Sequence, residues 1–193
     1  MKLSNTRFGL VAALALALAA CGGDASETAL ASDGVEDKTS ETFAAVLGQD
    51  PSLSIAAQQL DAAGLMGALD GEASYTIFVP TNAAFQALGE QGSTLLEDPQ
   101  YSGIVAAVLR NHMVPGVLDT AAIDRAIADA GGEAAVANFG GGVLTLAREE
   151  GVLVVREATG RKAILDGKVT LVGKGAVIAI DTVLVDPVLL SDF

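Results

Sequence analysis

Apolar positions along the chain change their spacing after Gly132. Before it they recur at helical spacing, as in the stripe of Leu53, Ala56, Ala57 and Leu60. After it, short runs of β-branched and aliphatic residues alternate with glycine-rich or charged turns, about ten residues apart. Helices first and strands later predict an α+β fold with a mostly antiparallel sheet system.

Capping signals and glycines set the predicted boundaries of the elements. The predicted helices run from Thr39 or Ser40 to Leu47, from Pro51 (capped by Asp50) to Gly64, as a short turn over 65–69, from Pro99 (capped by Asp98) to His112, and from Asp119 or Thr120 to Gly131. The predicted strands are 134–139, 143–148, 152–156, 162–165, 169–172 and 177–185, with Asp166-Gly167 as the strongest hairpin signal.

A buried strand, a corner and a helix are predicted over residues 75–88. The run 75–79 has the β-branched and aromatic composition of a packed strand. Pro80 lacks an N–H and ends the hydrogen-bond ladder. Thr81 is then placed to cap a helix by accepting from the N–H of Ala83 or Ala84. None of these side chains is chemically reactive, which favours a scaffold over a catalytic site.

The N-terminal residues have the features of an export signal. Lys2 and Arg7 precede an apolar run over 10–20 that is too short to span a bilayer. Leu18-Ala19-Ala20-Cys21 resembles the bacterial lipobox, in which the cysteine is lipidated and becomes the first mature residue. An ordinary signal peptide with a chance cysteine is the alternative. Gly22 after the cysteine resembles sorting to the outer membrane.

Charge and cysteine content narrow the function classes. The chain carries a formal charge of −13, and removal of residues 1–20 leaves nine basic against 24 acidic side chains, a net −15. Nucleic acid is therefore an unfavourable partner, and membrane attachment is expected to depend on acyl chains. We favour solubility over cation binding as the reason for the acidity. Cys21 is the only cysteine, so neither an internal disulfide nor a thiolate metal site can form.

Three segments resemble the signatures of the fasciclin-like domain family. YTIFVPTNAAF (75–85) resembles its first signature, LRNHMVPG (109–116) its central histidine motif and GAVIAIDTVLVDP (175–187) its closing signature. They occur in the family's order and spacing, over about residues 40–187. The resemblance implies a wedge of two packed, mostly antiparallel sheets with helices over one edge, and a non-catalytic role in adhesion or interaction. The domains expected are a lipoprotein signal peptide (1–20), an acidic flexible tether (21–38), a fasciclin-like domain (39–187) and a C-terminal tail (188–193).

Three positions depart from the family pattern. The family often has Tyr before the histidine, linked in animal members to integrin adhesion, and this chain has Asn111. Lys174 stands where Asn usually precedes the closing glycine, and Ala179 stands where a histidine is common. Integrin adhesion is therefore not carried over. The weak candidates for partner contact are Asn111, Met113, Val114 and Gly116, at the end of the 99–112 helix and the turn after it.

Two ionisable residues lie in apolar surroundings. His112 ends a helical stripe, either as a pH-sensing or ligand-contacting residue or, as we favour, as a buried, neutral, hydrogen-bonded core residue. Asp181 interrupts an apolar strand, and burial would require hydrogen bonds to backbone N–H groups or hydroxyls, with Thr81 and Asn82 as candidate partners. We assign Thr81, Asn82, His112 and Asp181 to the structural motif of the domain.

No motif predicts an enzyme, a metal or a cofactor. The sequence lacks HExxH, GxSxG and phosphate-loop patterns. Glu149-Glu150 fits a solvated hairpin tip better than a cation site, and Gly140-Gly141-Gly142 fits a turn better than a phosphate loop. The sequence predicts a lipid-anchored envelope protein that binds a protein or polysaccharide. The alternative is a periplasmic carrier of a small apolar ligand or pigment.

Overall fold

The structure, a computed structural model, describes residues 34–186, which belong to one compact unit. The predicted signal peptide, Cys21, the first part of the tether and the tail 188–193 lie outside the described residues. The helices are α1 Phe43–Gln49, α2 Ser54–Ala62, α3 Met66–Leu69, α4 Asn82–Gln86, α5 Gly89–Glu97, α6 Ser102–Asn111 and α7 Thr120–Asp129, with 3-10 turns at Pro51–Leu53 and Pro99–Tyr101. The strands are β1 Val35–Lys38, β2 Tyr75–Pro80, β3 Met113–Pro115, β4 Glu133–Ala137, β5 Val143–Glu149, β6 Val152–Glu157, β7 Lys162–Val172 and β8 Gly175–Ile180.

The strands form a mostly antiparallel sheet that is partly closed into a barrel. Their order is β3-β2-β8-β7-β6-β5-β4, with β1 paired to β7 off this path. The pairs β1–β7 and β2–β8 are parallel, and the other five pairs are antiparallel. Beyond β4, the N–H of Phe139 donates to the carbonyl of Met113 at 2.9 Å, which brings the two ends of the order together. The predicted α+β class is confirmed.

Two hydrophobic clusters lie on opposite sides of β2. The first is formed by α1–α6 against the sheet and includes Ile77 and Val79. The second is enclosed by the curved sheet and α7 and includes Phe78. Because successive strand residues point to opposite faces, β2 is buried on both sides, which explains the consecutive apolar residues Ile77, Phe78 and Val79. None of the helices in residues 34–186 combines the length and apolar character of a membrane span.

The predicted caps are largely confirmed. Asp50 and Asp98 accept from the N–H groups of Ser52 and Gln100 at the two 3-10 turns that precede α2 and α6. Thr81 accepts from the N–H of Ala84 at 3.2 Å and caps α4. Asp119 caps α7 in the same way. The start of α1 differs, because Thr42, rather than Thr39 or Ser40, caps it by accepting from the N–H of Ala45.

The predicted hairpin at Asp166-Gly167 is wrong. β7 runs without interruption from Lys162 to Val172, and Asp166-Gly167 lies in a register irregularity between Leu165 and Val169. Gly167 has a φ of 77°, which suits a bulge as well as a turn. Before the bulge, residues 162–164 of β7 pair with β6 and Leu165 pairs with Ile180 of β8. After the bulge, residues 169–172 pair with β1 on one side and β8 on the other. One strand therefore belongs to both halves of the sheet.

The structure also corrects the predicted limits of three regions. Residues 35–38, assigned to the tether, form β1 and pair with residues 169–172 of β7. The last predicted strand, 177–185, ends at Ile180, after which Val183, Leu184 and Val185 are buried as non-strand backbone. Helix α5 and the short strand β3 have no counterpart in the prediction, since α5 contains two glycines and β3 contains a proline.

Candidate interaction surface

An exposed aromatic pair marks the seam where β3 and β4 come together. The rings of Tyr75 and Phe139 meet edge to face, with centroids 5.2 Å apart and planes inclined by 68°. Phe139 is 44% exposed and Tyr75 is half-buried. Pro115 is exposed and pairs with Tyr75 across β2 and β3. We call Tyr75, Asn111, Pro115 and Phe139 the seam patch.

A glycine turn brings Asn111 into this patch. The side-chain oxygen of Asn138 accepts from the N–H groups of Gly140 and Gly142, at 3.1 and 2.8 Å, and thereby fixes the β4–β5 turn. A Cβ on Gly140 would lie 1.6 Å from the Oδ1 of Asn111. The turn therefore packs directly on the end of α6, and only glycine permits this approach. The three glycines of this loop form a turn between two strands, without the strand–loop–helix arrangement of a phosphate site.

Only part of the predicted partner surface is accessible. Asn111 and Gly116 are half-buried and reach solvent. Met113 and Val114 are 4% and 1% exposed, because β3 pairs with β2 and directs their side chains into the first and second hydrophobic clusters respectively. These two residues therefore cannot contact a partner, which corrects the sequence prediction. Gly116 has a φ of 88°, which the turn after β3 requires.

The sequence prediction missed the aromatic members of the patch. Tyr75 was assigned to a buried strand, and Phe139 to the end of another. Phe139 directly precedes three glycines, and a large apolar side chain at the edge of such a loop is a signal for exposure. Their contact depends on closure of the sheet, which local sequence patterns do not report.

His112 is a fully buried connector between α6 and the C-terminal segment. Its Nδ1 lies 2.7 Å from the carbonyl of Val108, and its Nε2 accepts from the N–H of Leu184 at 2.9 Å. An amide N–H can only donate, so Nε2 is the unprotonated nitrogen and Nδ1 carries the proton. Burial lowers the pKa of His112 to about 4, although the hydrogen bond to Val108 opposes this shift. The ring is therefore neutral at pH 7, and this environment matches the structural interpretation.

Thr81 and Asn82 hold the corner after β2. Thr81 donates its N–H to the carbonyl of Ile180 at 3.0 Å and so joins the end of β8. The Oδ1 of Asn82 accepts from the N–H of Ile55 at 3.0 Å at the start of α2. Its Nδ2 donates to the carbonyl of Pro51 and to the hydroxyl of Ser54. Asn82 thus caps a helix distant in sequence, which explains the polar residue in the first signature.

Asp181 makes the predicted kind of hydrogen bond with different partners. Its Oδ1 accepts from the N–H of Ile164 at 2.7 Å and from the hydroxyl of Thr182 at 3.0 Å, while its own N–H donates to the carbonyl of Ile164. Neither Thr81 nor Asn82 bonds to it. Asp181 is exposed, because β8 ends one residue earlier and the alternation predicted for 177–185 does not extend to it.

The remaining candidate sites have structural explanations. Glu149 is paired with Arg156 and Lys162, so it forms part of an ion-pair network on the outer sheet face; those partners lower its pKa, Lys162 first. Within residues 34–186, no group of three His, Cys, Asp or Glu side chains is arranged to hold a metal ion. One wholly apolar cavity within residues 34–186, between α4–α6 and Val183, has a volume of about 20 Å³. That is room for a single water molecule and far less than a pigment occupies.

A sequence model of the family described as Fasciclin domain matches residues 51–186. The chain belongs to the fasciclin domain family. A curated relative, "Protein sll1483" of Synechocystis sp. (strain ATCC 27184 / PCC 6803 / Kazusa), is 32% identical over 148 residues, which is 76% of this chain and 74% of the relative. The solved structure of a FAS1 domain pair from the insect cell adhesion molecule Fasciclin I has a TM-score of 0.61 at 18% identity. That match covers 76% of this chain and 51% of the domain pair, so this chain spans about half of that structure.

Membership of the family accounts for the three signatures. In this fasciclin domain the first signature builds β2 and its corner, the central motif places His112 against Leu184, and the closing signature forms β8. Fasciclin domains are generally non-catalytic modules with adhesion-related roles. The FAS1-like fold has its helices gathered at one edge of the sheet, as the resemblance implied.

Proposed function

We propose that this protein is a lipid-anchored component of the bacterial cell envelope whose fasciclin domain binds a partner protein through the seam patch. The observation that carries the proposal is the aromatic pair Tyr75–Phe139 beside Pro115, in which Phe139 is the one aromatic among the exposed large hydrophobic residues of 34–186. Exposed aromatic residues supply much of the energy of protein interfaces. The patch also includes Asn111 and Pro115 of the central histidine motif, and Asn111 is one of the partner-contact candidates predicted from the sequence.

The composition of the patch favours a protein over a charged polymer. Its members are two aromatic residues, a proline and an amide, none of which carries a charge. The Oδ1 of Asn111 packs against Gly140, so the side-chain NH₂ group is the part of the amide that can donate to a partner's backbone carbonyl. An apolar centre with one polar group at its edge is typical of a small protein interface.

The anchor rests on sequence alone. Acylation at Cys21 would attach the chain to a membrane, and Gly22 favours the outer membrane. The acidic surface would be repelled by anionic headgroups, so attachment would depend on the acyl chains. The segment between Cys21 and β1 would hold the domain close to the bilayer surface.

Binding is tested by capture of envelope proteins on the immobilised full chain. Substitution Phe139→Ser is expected to remove a specific captured protein, because the largest apolar contact of the patch is lost. Val152→Ser is the matched control, since Val152 is also 44% exposed but lies on the outer face of β6. Equal capture by wild type, Phe139→Ser and Val152→Ser would contradict the proposed surface.

Anchoring is tested separately with Cys21→Ser. We expect the wild-type chain to incorporate a radiolabelled fatty acid and to fractionate with outer membranes. The Cys21→Ser chain should lose both properties. Fatty-acid incorporation that persists in the variant, or its absence from the wild type, would contradict lipidation at Cys21.

A further inference from the structure

A groove of about 240 Å³ lies on the side of the domain where β1 joins the sheet. It is bounded by β1, by β7 and β8 beneath, and by the segment from α1 to Leu53 above. We call it the β1 groove. It shares no residue with the seam patch. The groove is open to solvent and smaller than most drug-binding pockets, so it suits a ligand of about one ring.

Strand register places one polar side chain on the floor of this groove. Thr170 pairs with Glu36 on β1 and with Val177 on β8, so the three side chains form one row across the sheet. Thr170 is 8% exposed, and its hydroxyl makes no hydrogen bond to another residue within 34–186. Around it the floor is apolar, since Val46, Leu53 and Val177 are 6%, 4% and 4% exposed. Thr170 lines the groove, and its hydroxyl is not among the enclosed unpartnered side-chain atoms of residues 34–186, so it is open to the groove and can bond to a ligand or water.

The rim of the groove offers hydrogen-bond donors and acceptors in equal supply. Lys38 Nζ donates to Gln49 Oε1 at 3.0 Å, and Lys168 Nζ lies 2.6 Å from Glu36 Oε2. Each ammonium group has three protons, so both lysines keep donors for a ligand. Asp50 uses Oδ1 to accept from the N–H and the hydroxyl of Ser52, and its other carboxylate oxygen remains an acceptor.

The charged groups on the rim favour a neutral ligand over an ionic one. Two ammonium groups face two carboxylates, so the groove has no net charge to attract an ion. The described residues also contain no metal-ligand cluster. A neutral molecule with many hydroxyl groups and an aliphatic face can form hydrogen bonds with the donors and acceptors of the rim and pack its aliphatic face on the apolar floor. A hexose ring is the common molecule of this kind.

We propose that the β1 groove binds a single neutral sugar unit. The hydroxyls of the sugar would bond to Lys38, Lys168 and Asp50, and one would reach Thr170. Its CH face would lie on Val46 and Val177. The groove is small and open, and a ligand of this size is expected to bind with a Kd on the order of 1 mM or weaker. This site is independent of the partner surface proposed above.

Binding is tested by NMR titration of the ¹⁵N-labelled full chain with the methyl glycosides of glucose, galactose and mannose. The expected result is a saturable shift, with at least one glycoside, of the backbone amides in β1, at 49, 50, 52 and 53, and at 170. Thr170→Val keeps the shape of the side chain and removes the hydroxyl, so the affinity should fall about tenfold. Thr145→Val is the matched control, since Thr145 lies in β5 outside the groove and its substitution should leave the affinity unchanged.

A second variant guards against an indirect effect of Thr170→Val on folding. Lys38→Gln keeps the length of a polar side chain, leaves the floor intact and should weaken the same glycoside several-fold. Absence of saturable shifts with all three glycosides would overturn the proposal. Equal affinity in wild type and both variants would also overturn it, as would identical shifts produced by sodium acetate or glycine betaine in place of the sugars.

Discussion

Gly175 stands where two strands and a phenylalanine leave no room for a side chain. A Cβ at this position would lie 2.2 Å from the carbonyl oxygen of Tyr75 and 2.6 Å from Cζ of Phe43. The carbonyl oxygen of Tyr75 is a backbone atom, so it cannot move away without disturbing the pairing of β2 with β8. This contact gives a physical reason for the glycine that opens the closing signature.

Substitution Gly175→Ala is expected to destabilise the domain by about 2–3 kcal/mol through overpacking. Gly103→Ala is the control, because Gly103 lies in α6 and a Cβ there meets nothing within 4 Å. That change should be neutral or stabilise by about 0.5–1 kcal/mol, since alanine is the better helix former. Urea denaturation of the two variants measures the difference, and similar midpoints would contradict the close approach at Gly175.

His112 makes the stability of the domain depend on pH below neutrality. Burial lowers its pKa to about 4 from an ordinary value of 6.5. The unfolded chain therefore binds a proton at a higher pH than the folded one. The stabilisation is complete above pH 6.5 and is lost as the pH falls through about 4. It amounts to about 3 kcal/mol.

His112→Gln removes this titration while keeping a polar side chain. The variant should be less stable at pH 7, because the Leu184 N–H loses its well-placed acceptor. Between pH 7 and pH 4 the wild type should lose about 3 kcal/mol more stability than the variant. Carboxylates titrate in both proteins, so the difference between their unfolding free energies isolates the histidine. Parallel curves over this range would show that His112 is not a neutral buried group.

At the scale of elements, the β5–β6 hairpin contains a residue in an unfavourable backbone conformation. Glu149 pairs with Val152, so Glu150 and Gly151 form a two-residue loop, with φ values of 52° and 86°. Two positive φ values are the mark of a type I′ turn, which favours Asn-Gly. Glutamate at position 150 has an unfavourable conformational free energy at this positive φ, whereas asparagine adopts such backbone angles at a lower cost.

Glu150→Asn is therefore expected to stabilise the domain by about 0.5–1 kcal/mol. Glu150→Gln is the control, because it removes the same charge and leaves the conformational cost in place. Thermal unfolding should rank the asparagine variant above the glutamine variant and the wild type. If the two variants melt at the same temperature, the gain comes from charge and the turn is not strained.

Elements fixed by local contacts could be predicted from the sequence. Asp50, Thr81, Asp98 and Asp119 cap their helices through N–H groups two or three residues away, so the signal lies within one turn of chain. Asp166-Gly167 has the local signal of a hairpin, yet it forms a bulge. The outcome there depends on which strands pair with β7 on either side, and a dipeptide carries no such information.

Contacts between distant strands also explain why the sequence does not predict the aromatic pair of the seam patch. Asn111 could be placed beside the helix end from spacing alone. Phe139 joins Tyr75 only because the sheet curves until its two ends meet. β1 was assigned to a tether because its sequence is charged. Charges are common on edge strands, where they discourage further pairing, and the sequence alone does not separate an edge strand from an acidic linker.

At the scale of the whole molecule, the contribution of β1 can be measured by deleting residues 35–38. The deletion exposes the edge of β7 at Val169–Val172 and removes the pairing seen there. We expect a loss of about 1–3 kcal/mol, given four paired residues at a sheet edge. A tether without structure would predict no change in melting temperature. Deletion of residues 28–31, outside the described strand, is the matched control for shortening the chain.

The pairing of β2 with β8 has a consequence for how the protein is made. Residues 76–80 pair with residues 176–180, so β2 lacks one of its two neighbouring strands until nearly the entire domain has been synthesised. Contacts between residues so far apart in sequence slow folding, and a chain in which one edge of β2 is unpaired is prone to self-association. The delay keeps the domain from completing its fold until β8 has been made. Any product that ends before Gly175 lacks β8 and leaves one edge of β2 unpaired, which makes it a substrate for proteases.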